Sequence, residues 1–160
     1  NVMKGYYKLP ELTAEAFDAA GYFRTGDLGR LDPDGFLYIT GRLKDLIIIA
    51  GENVAPREIE EVLNRAPGVA ESVVVGKMDE TRGEVPIAFV EPVEGTEIDP
   101  SALRAFCREQ IAPFKVPREV RVMEKLPRNP TGKVLRRDLK ALANEGGEAS
   151  GSRDQASGEA

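Results

Sequence analysis

Four runs of apolar residues along the chain predict strands. The run at 46–50 is continuous, and the others are mostly apolar stretches at 69–75, 85–90 and 120–123. A proline inside the third run, Pro86, indicates a strand at the edge of a sheet, because proline has no backbone N–H to donate.

Two helices are predicted between these strands. One begins near Pro56, with Ile59 and Leu63 on its apolar side, and the other begins at Pro100 behind the capping residue Asp99. The apolar side of the second helix includes Cys107, which we therefore interpret as a small core residue rather than a nucleophile. Strands alternating with helices predict a compact α+β or α/β unit over residues 42–143.

Charged residues on the helices are interpreted as solvent-facing. They are Glu58, Glu60 and Glu61 on the helix after Pro56, and Arg136, Arg137 and Lys140 on the last helix.

The two ends of the chain have little to contribute to a core. Residues 1–41 contain a helix predicted over 13–20, capped by Thr13, and a strand predicted over 36–40. We expect this segment to pack on a part of the protein that is missing here, since it cannot bury enough surface alone. Residues 144–160 are rich in Gly, Ser, Ala and Glu and predict a disordered tail.

Composition narrows the possible chemistry. The chain has 160 residues, 41% hydrophobic and 31% charged, and no apolar run of the roughly 18 residues that would span a bilayer. It has one cysteine and no histidine, which argues against a structural zinc site and excludes a histidine base or a histidine-containing triad. The single cysteine is compatible with a reducing compartment, and we expect a cytoplasmic protein.

Charge and the first residues add two expectations. The net charge is −5, much of it in the last sixteen residues, so the nearly neutral remainder offers no field for nucleic acid. The chain starts with Asn1, which is neither an initiator methionine nor the start of a signal peptide. We expect a sequence entered partway through a longer chain.

Charged residues between two apolar runs form the first candidate site. The segment is Gly41-Arg42-Leu43-Lys44-Asp45, where an ordinary connector would favour Gly, Asn or Pro. Either it is a solvated turn, or it is a hinge that includes a ligand-binding arginine.

A proline-rich loop forms the second candidate site. It spans residues 126–133 and ends at Lys133. It is not a phosphate-binding P-loop, because Pro127 stands where the first glycine belongs and Val134 replaces the Ser or Thr after the lysine. Lys133 is either simply solvated or meets a phosphate as a point charge.

Taken in order, the segments at 23–28, 41–45 and 127–133 closely resemble the adenylate-forming (AMP-binding) enzymes, including acyl-CoA synthetases and fatty-acid–CoA ligases. The resemblance extends from Val2 to about Leu142. It implies an α+β fold: a small C-terminal lid domain over 42–143, with a short mixed sheet flanked by helices. Residues 1–41 would close a truncated large domain.

The resemblance also implies roles for particular residues. Asp27 would hold the ribose hydroxyls of ATP, Thr25 would lie near its phosphate, and Arg42 would reach the nucleotide. Lys44 matches the hinge about which the lid domain rotates. Lys133 matches the catalytic lysine that bridges the carboxylate substrate and the α-phosphate.

A third implied site concerns the thiol acceptor. Gly51 and Glu52 would lie near the pantetheine arm of CoA, and the alternative is that Gly51 only serves the turn into the next helix. A lysine that luciferase-like members carry near Ile48 is absent, which weakens a luciferase interpretation.

The implied function is ATP-dependent carboxylate–CoA ligation, as in fatty-acid and lipid metabolism. A fatty or other apolar acid would be joined to AMP and then, after domain rotation, to CoA. The ATP-bound Mg²⁺ would be held upstream, and no metal ligand is assigned in this chain, which would be inactive alone. The alternatives are an adenylation domain that loads a carrier-protein thiol, and a non-catalytic binding or regulatory fragment.

Overall fold

The computed structural model describes residues 1–145, which form two compact units, one of Asn1–Asp45 and one from Leu46 onward. Most of the predicted tail, 146–160, lies outside the described residues. Residues 144 and 145 belong to the last helix. The domain limits implied by the resemblance stay predictions, and the division after Asp45 lies four residues beyond the one placed after residue 41.

The first unit consists of one helix and one hairpin. Helix α1 is Pro10–Glu15, and strands β1 (Asp27–Leu31) and β2 (Leu37–Arg42) pair antiparallel. A 3-10 turn, Leu43–Asp45, follows β2. None of these residues is buried, which agrees with the expectation that so small an apolar surface cannot form a core by itself.

The helix predicted over 13–20 is wrong in both limits. Helix α1 begins at Pro10, which occupies the first helical position, and it ends at Glu15. Thr13 therefore lies inside the helix, where its Oγ1 donates a hydrogen bond to the carbonyl of Leu9 and accepts one from the N–H of Tyr6. The cap signal was misplaced because proline at a helix start needs no partner for a missing N–H.

The second unit is a mixed sheet with helices on both faces. Its strands are β3 (Ile47–Ile49), β4 (Glu52–Val54), β5 (Val69–Asp79), β6 (Gly83–Pro92) and β7 (Glu119–Val122). Its helices are α2 (Pro56–Leu63), α3 (Pro100–Gln110) and α4 (Arg136–Glu145), with a 3-10 turn at Pro113–Lys115. The sheet order is β4-β3-β6-β5, with β7 beside β6 and parallel to it, so the predicted small α+β fold with a mixed sheet is confirmed.

Successive residues of the two long strands supply opposite sides of the sheet. On β5, Val74 lies in the cluster that includes residues of α2 and α3, whereas Val73 and Val75 lie in the cluster that includes Leu139 of α4. This alternation explains why successive residues at 73–75 and 85–90 are apolar, since a strand covered on both faces has no solvent side.

The helix starts predicted at Pro56 and Pro100 are confirmed by α2 and α3. Asp99 caps α3 by accepting a hydrogen bond from the N–H of Ser101 at 2.9 Å, and Pro100 occupies its first turn. Cys107 on the same helix is fully buried, as predicted for a core residue. Burial raises the pKa of its thiol, which disfavours the nucleophilic thiolate.

The edge position predicted from Pro86 is wrong. Strand β6 is central, paired with β5 on one side and with β3 and β7 on the other. The pairing with β3 is at Gly83, and the pairing with β7 begins at Ile87. Pro86 lies between these two pairings, so its missing N–H costs no hydrogen bond to a neighbouring strand. Its carbonyl still accepts a hydrogen bond from the N–H of Arg118 at 2.8 Å.

The outer edge of β5 is closed by side chains instead of by another strand. Glu60 from α2 accepts the N–H of Val74 at 2.7 Å, and Arg136 at the start of α4 donates to the carbonyl of Val74 at 2.7 Å. The two side chains also pair with each other at 2.7 Å. Further along the edge, Asn144 accepts the N–H of Met78 at 3.1 Å. We name the contacts of Glu60 and Arg136 with Val74 the edge clamp.

The prediction that Glu60 and Arg136 are solvent-facing is therefore wrong. Glu60 is buried, because its position on α2 follows Ile59 and places it beside the sheet edge. A buried carboxylate is tolerated only with charged and hydrogen-bonded partners, and the edge clamp supplies both. Its neighbour Glu61 is exposed, as predicted, and pairs with Arg57 one turn earlier on α2.

Substituting Glu60→Gln should destabilise the chain by about 1–3 kcal/mol, because Arg136 would lose its buried carboxylate partner. Glu61→Gln is the matched control and should change the free energy of unfolding by about 0.5 kcal/mol or less. Urea denaturation followed by far-ultraviolet circular dichroism measures both. Equal losses in the two variants would contradict a structural role for the edge clamp.

Candidate functional site

Three of the predicted nucleotide-binding residues come together at one end of the β1–β2 hairpin. Asp27 begins β1 and Arg42 ends β2, and the two are cross-strand partners. The guanidinium Nε of Arg42 lies 3.0 Å from Oδ1 of Asp27. Thr25 accepts the backbone N–H of Asp27 through its Oγ1 at 3.1 Å. These contacts place an anion and a cation side by side.

The Asp27 carboxylate keeps capacity for a further partner. Its side chain is 26% exposed, and the Arg42 contact occupies one of its oxygens. An ionised carboxylate can accept about four hydrogen bonds, so neighbouring hydroxyl donors could still bind to it. Arg42 is about half exposed, with other guanidinium N–H groups left for an anionic ligand.

Lys44 lies in the 3-10 turn Leu43–Asp45, immediately before the division between the two units. Its side chain is exposed. The backbone before it is tied to the β1–β2 hairpin, since the N–H of Leu43 donates to the carbonyl of Gly26 at 2.8 Å. The turn is thus the last piece of the first unit.

Gly51 and Glu52 belong to the second unit, at the tight turn between β3 and β4. Ala50 and Gly51 both have positive φ angles, 50° and 88°, and they join the paired residues Ile49 and Glu52. A two-residue hairpin with this backbone favours glycine. Gly51 therefore belongs to a β-hairpin turn. The turn into the next helix, which we considered as its alternative role, is not where it lies.

The space around Gly51 is compatible with its predicted role beside a pantetheine arm. A Cβ atom added to Gly51 would meet no atom within 4 Å. Glu52 beside it is exposed. The proximity of both residues to a pantetheine arm stays a prediction.

The proline-rich loop is a closed hairpin. Arg128 and Val134 form an isolated antiparallel bridge, and the N–H of Asn129 donates to the carbonyl of Lys133 at 2.9 Å. The side-chain oxygen of Asn129 accepts three bonds, from the N–H and hydroxyl of Thr131 and from the N–H of Lys133. We name residues 127–135 the lysine hairpin.

The ammonium of Lys133 is exposed and makes no hydrogen bond or ion pair with any residue in 1–145. Its backbone, by contrast, is held by two bonds to Asn129. A cation on a fixed backbone and with no internal partner can meet an external anion without first breaking a contact.

The lysine hairpin is attached to the sheet by a cluster that the sequence did not reveal. Arg128 pairs with Glu71 of β5 and Glu91 of β6, and it donates to the carbonyl of Gly132 at 3.1 Å. Glu91 is buried and also accepts the N–H of Leu126 at 2.9 Å. The signal that could have found this cluster is the presence of two glutamates inside otherwise apolar strands.

Hydrogen bonding controls the charge state of Glu91. The backbone N–H of Leu126 and, next, the ammonium of Lys125 lower the pKa of this carboxyl below its ordinary value of 4.5, against the opposing effect of burial. Glu91 is therefore ionised when the chain is folded at neutral pH and gives Arg128 a fixed negative partner.

The predicted site residues thus fall into two groups. Thr25, Asp27, Arg42 and Lys44 lie in the first unit, and Gly51, Glu52 and Lys133 lie in the second. No cluster of three or more His, Cys, Asp or Glu residues able to hold a metal ion occurs within residues 1–145. No helix in that range is long and apolar enough to cross a bilayer.

Comparison with known proteins identifies the second unit. The family model of the AMP-binding enzyme C-terminal domain matches residues 58–133, which run from α2 to the lysine. Residues 58–133 are thus similar to the C-terminal domain of AMP-binding enzymes. The resemblance to the C-terminal portion of adenylate-forming enzymes is confirmed.

Three similar curated proteins are ligases. The chain is 53% identical to a 2-succinylbenzoate–CoA ligase of Geobacillus kaustophilus, over 89% of this chain and 29% of the relative. It is 50% identical to a sulfoacetate–CoA ligase of Cupriavidus necator, over 87% and 27%. It is 48% identical to the fatty acid–[acyl-carrier-protein] ligase ScoC of Streptomyces coeruleorubidus, over 86% and 26%. The chain spans less than a third of these relatives.

Among solved structures, MatB from Rhodopseudomonas palustris matches in two forms. The chain is 42% identical to it, over 89% of this chain and 28% of MatB. The TM-score is 0.84 against the ATP-bound form and 0.65 against the apo form. Since identity and coverage are the same, the matching segment of MatB has different shapes in its two structures.

The pKa of Glu91 predicts how stability depends on pH. A carboxyl whose pKa is lower in the folded chain stabilises fully above its unfolded value, about 4.5, and loses that contribution as pH falls through the folded pKa. The difference in unfolding free energy between the natural chain and Glu91→Gln should therefore be greatest at neutral pH and shrink below about pH 4.5. Urea denaturation between pH 3 and 7 tests this, and a constant difference would contradict it.

Proposed function

We propose that this chain is the C-terminal part of an ATP-dependent carboxylate–CoA ligase. In the first half-reaction, a carboxylate oxygen of the substrate attacks the α-phosphorus of ATP, and pyrophosphate leaves. In the second, the thiol sulfur attacks the acyl carbon, a C–S bond forms, the C–O bond to AMP breaks, and the thiol proton is released. AMP and a thioester are the products.

The proposal depends most on Lys133. Its ammonium is exposed and has no partner within residues 1–145, and it lies in a hairpin whose backbone is held by Asn129. We assign it the bridge between the substrate carboxylate and the α-phosphate of ATP. Both groups are anions that repel each other, so a positioned cation between them stabilises the transition state as charge shifts to the leaving pyrophosphate.

The chemistry of the first half-reaction fits a chain without histidine. The attacking group is already ionised, and no proton has to be removed by a base. Positioning and charge stabilisation are sufficient for transfers of this kind. The exclusion of histidine-based catalysis by the sequence is therefore consistent with the proposed reaction.

Asp27 and Arg42 are proposed to hold the nucleotide. The free oxygen of Asp27 would accept the ribose hydroxyls of ATP, while Arg42 keeps the carboxylate oriented and reaches the nucleotide itself. Thr25, which accepts the N–H of Asp27, would lie near the phosphate. Hydrogen bonds to a charged acceptor contribute about 1.5–3 kcal/mol each.

Lys44 is proposed as the hinge between the two half-reactions. Two observations support this role: the division between the units follows Asp45, and the matching segment of MatB differs in shape between its ATP-bound and apo structures. Rotation at the turn would withdraw Lys133 after adenylation. The β3–β4 turn, with Gly51 and Glu52, would then face the pantetheine arm.

The acceptor thiol is proposed to be that of CoA, with a carrier-protein thiol as the alternative. Two of the three relatives described above are named CoA ligases, and ScoC is named as a carrier-protein ligase at nearly the same identity. Assaying the full-length ligase with CoA and with a pantetheinylated carrier protein separates the two, and the faster thioester formation identifies the acceptor.

The carboxylic acid is specified outside this segment. Relatives named for 2-succinylbenzoate, sulfoacetate and a fatty acid match this chain about equally well. We propose a fatty or other apolar acid as substrate, Mg²⁺ bound with ATP by residues upstream, and a cytoplasmic location. The location is supported by a single, buried and free cysteine.

Lys133→Ala in the full-length ligase should slow acyl-adenylate formation about 10²- to 10³-fold, the usual cost of removing one preorganised charge contact. ATP–pyrophosphate exchange measures this rate. Thermal unfolding should be unchanged, because the Lys133 ammonium has no partner in residues 1–145. Arg108→Ala, which removes an exposed cation from α3, is the control and should leave the exchange rate unaltered. Normal exchange in Lys133→Ala would refute the proposed role.

Asp27→Asn should raise the KM for ATP about tenfold to a hundredfold, since an amide is a weaker acceptor than a carboxylate and offers one oxygen instead of two. Initial rates of adenylation at varied ATP concentration provide the measurement. Asp34→Asn, in the loop between β1 and β2, is the control. An unchanged KM in Asp27→Asn would remove this residue from the nucleotide site.

A further inference from the structure

Two glutamates with like charge lie directly opposite each other in the sheet. Glu71 of β5 and Glu91 of β6 are cross-strand partners, next to the irregularity in register between Val69 and Glu71. Like charges in this arrangement repel each other. Both carboxylates contact the same guanidinium nitrogen, Nη2 of Arg128. The two carboxylates thus form an anionic binding site for the Arg128 guanidinium, which we call the seat of Arg128.

The guanidinium reaches from this seat to the turn of the lysine hairpin. Nη1 of Arg128 donates to the carbonyl of Gly132 at 3.1 Å. Gly132 has a positive φ of 84° and directly precedes Lys133. The carbonyl that Arg128 holds therefore belongs to the peptide bond leading into the lysine, so its orientation sets the direction in which the Lys133 backbone leaves the turn.

We propose that Arg128 is a positioning residue for Lys133: seated on Glu71 and Glu91, it fixes the Gly132 carbonyl and thereby aims the lysine. The inference rests on the proposed function of Lys133. Arg128 itself touches no substrate in this scheme and acts only through the backbone of the turn. Asn129 closes the same turn from inside, through its bonds to Thr131 and Lys133.

Arginine suits this position better than lysine does. A planar guanidinium offers five N–H donors in a fixed arrangement, so one side chain can serve two carboxylates and a carbonyl in different directions. A lysine would keep the positive charge between Glu71 and Glu91 but would lack the rigid fork. Arg128→Lys therefore preserves most of the electrostatics and removes the fixed connection to Gly132.

The test is a double-mutant cycle in the full-length ligase. Arg128→Lys alone should lower the rate of ATP–pyrophosphate exchange about tenfold to a hundredfold, the size of effect expected when a catalytic group is misplaced by about 1 Å. In the Lys133→Ala background the same substitution should have an effect of less than about twofold, because no aimed lysine remains. Equal effects in both backgrounds would overturn the proposal and show a general structural role.

The second half-reaction provides a further readout. Thioester formation from a preformed acyl-adenylate should be within about twofold of normal in Arg128→Lys, since Lys133 is proposed to act only in adenylation. Arg108→Lys, an exposed arginine on α3, is the matched control for both assays. Parallel losses in the two half-reactions would contradict positioning through Lys133.

One measurement does not depend on the proposed function. In the 160-residue chain, amide hydrogen exchange of Gly132 and Lys133, which donate to Asn129, should become about tenfold faster in Arg128→Lys and stay unchanged in Arg108→Lys. Unchanged exchange in Arg128→Lys would overturn the proposal. If instead Lys133→Ala leaves adenylation intact while exchange responds to Arg128, the proposed function fails but the attachment of the turn stands.

Discussion

The open edge of β5 is the constraint on which the second unit depends. Within residues 1–145 this eleven-residue strand pairs with another strand on one side only, and an unpaired edge of that length would recruit other strands. The chain closes the edge with Glu60 and Arg136, which supply an acceptor and a donor for the backbone of Val74 much as another strand would. Because Glu60 comes from α2 and Arg136 from α4, one pair ties helices on opposite faces to the sheet.

The edge clamp has a consequence for the lysine hairpin. Arg136 follows Lys133 by three residues, and Arg128 precedes it by five. Each arginine is anchored on glutamate of the folded core, so the hairpin is attached at both ends while the Lys133 ammonium has no partner within residues 1–145. In the proposed function, a lysine held in this way would move together with its domain. That property is what a hinge-driven exchange of active-site groups requires.

In the proposed function, the two units contribute different groups to the reaction. The first unit holds an aspartate with an arginine beside it, a pair suited to grip a nucleotide. The second holds Lys133, whose ammonium has no partner among the described residues 1–145, and a tight glycine turn. The turn at Leu43–Asp45 lies at the division between the units, and it is there that the proposed rotation would take place.

Part of the site could be predicted because its signals are local. Proline and aspartate at helix starts, apolar runs at strands, and the ordered segments containing Asp27, Arg42 and Lys133 are each contained in a few neighbouring residues. The lower limit of α1 was missed because two competing start signals, Pro10 and Thr13, lie three residues apart. The position of Pro86 was misjudged because the second neighbour of a strand changes along its length, from β3 to β7.

The amino-acid sequence by itself determined the fold class, the family and the three segments that carry the proposed chemistry, since each depends on short-range patterns of polarity and turn residues. Tertiary structure alone decided how the lysine hairpin is held. Arg136 meets Glu60 across 76 residues of sequence, and Arg128 meets Glu71 across 57. No periodicity links residues so far apart, and a charged side chain in a sequence looks the same whether it will face solvent or a buried partner. Only the folding of the sheet, which brings these charges together, makes the distinction.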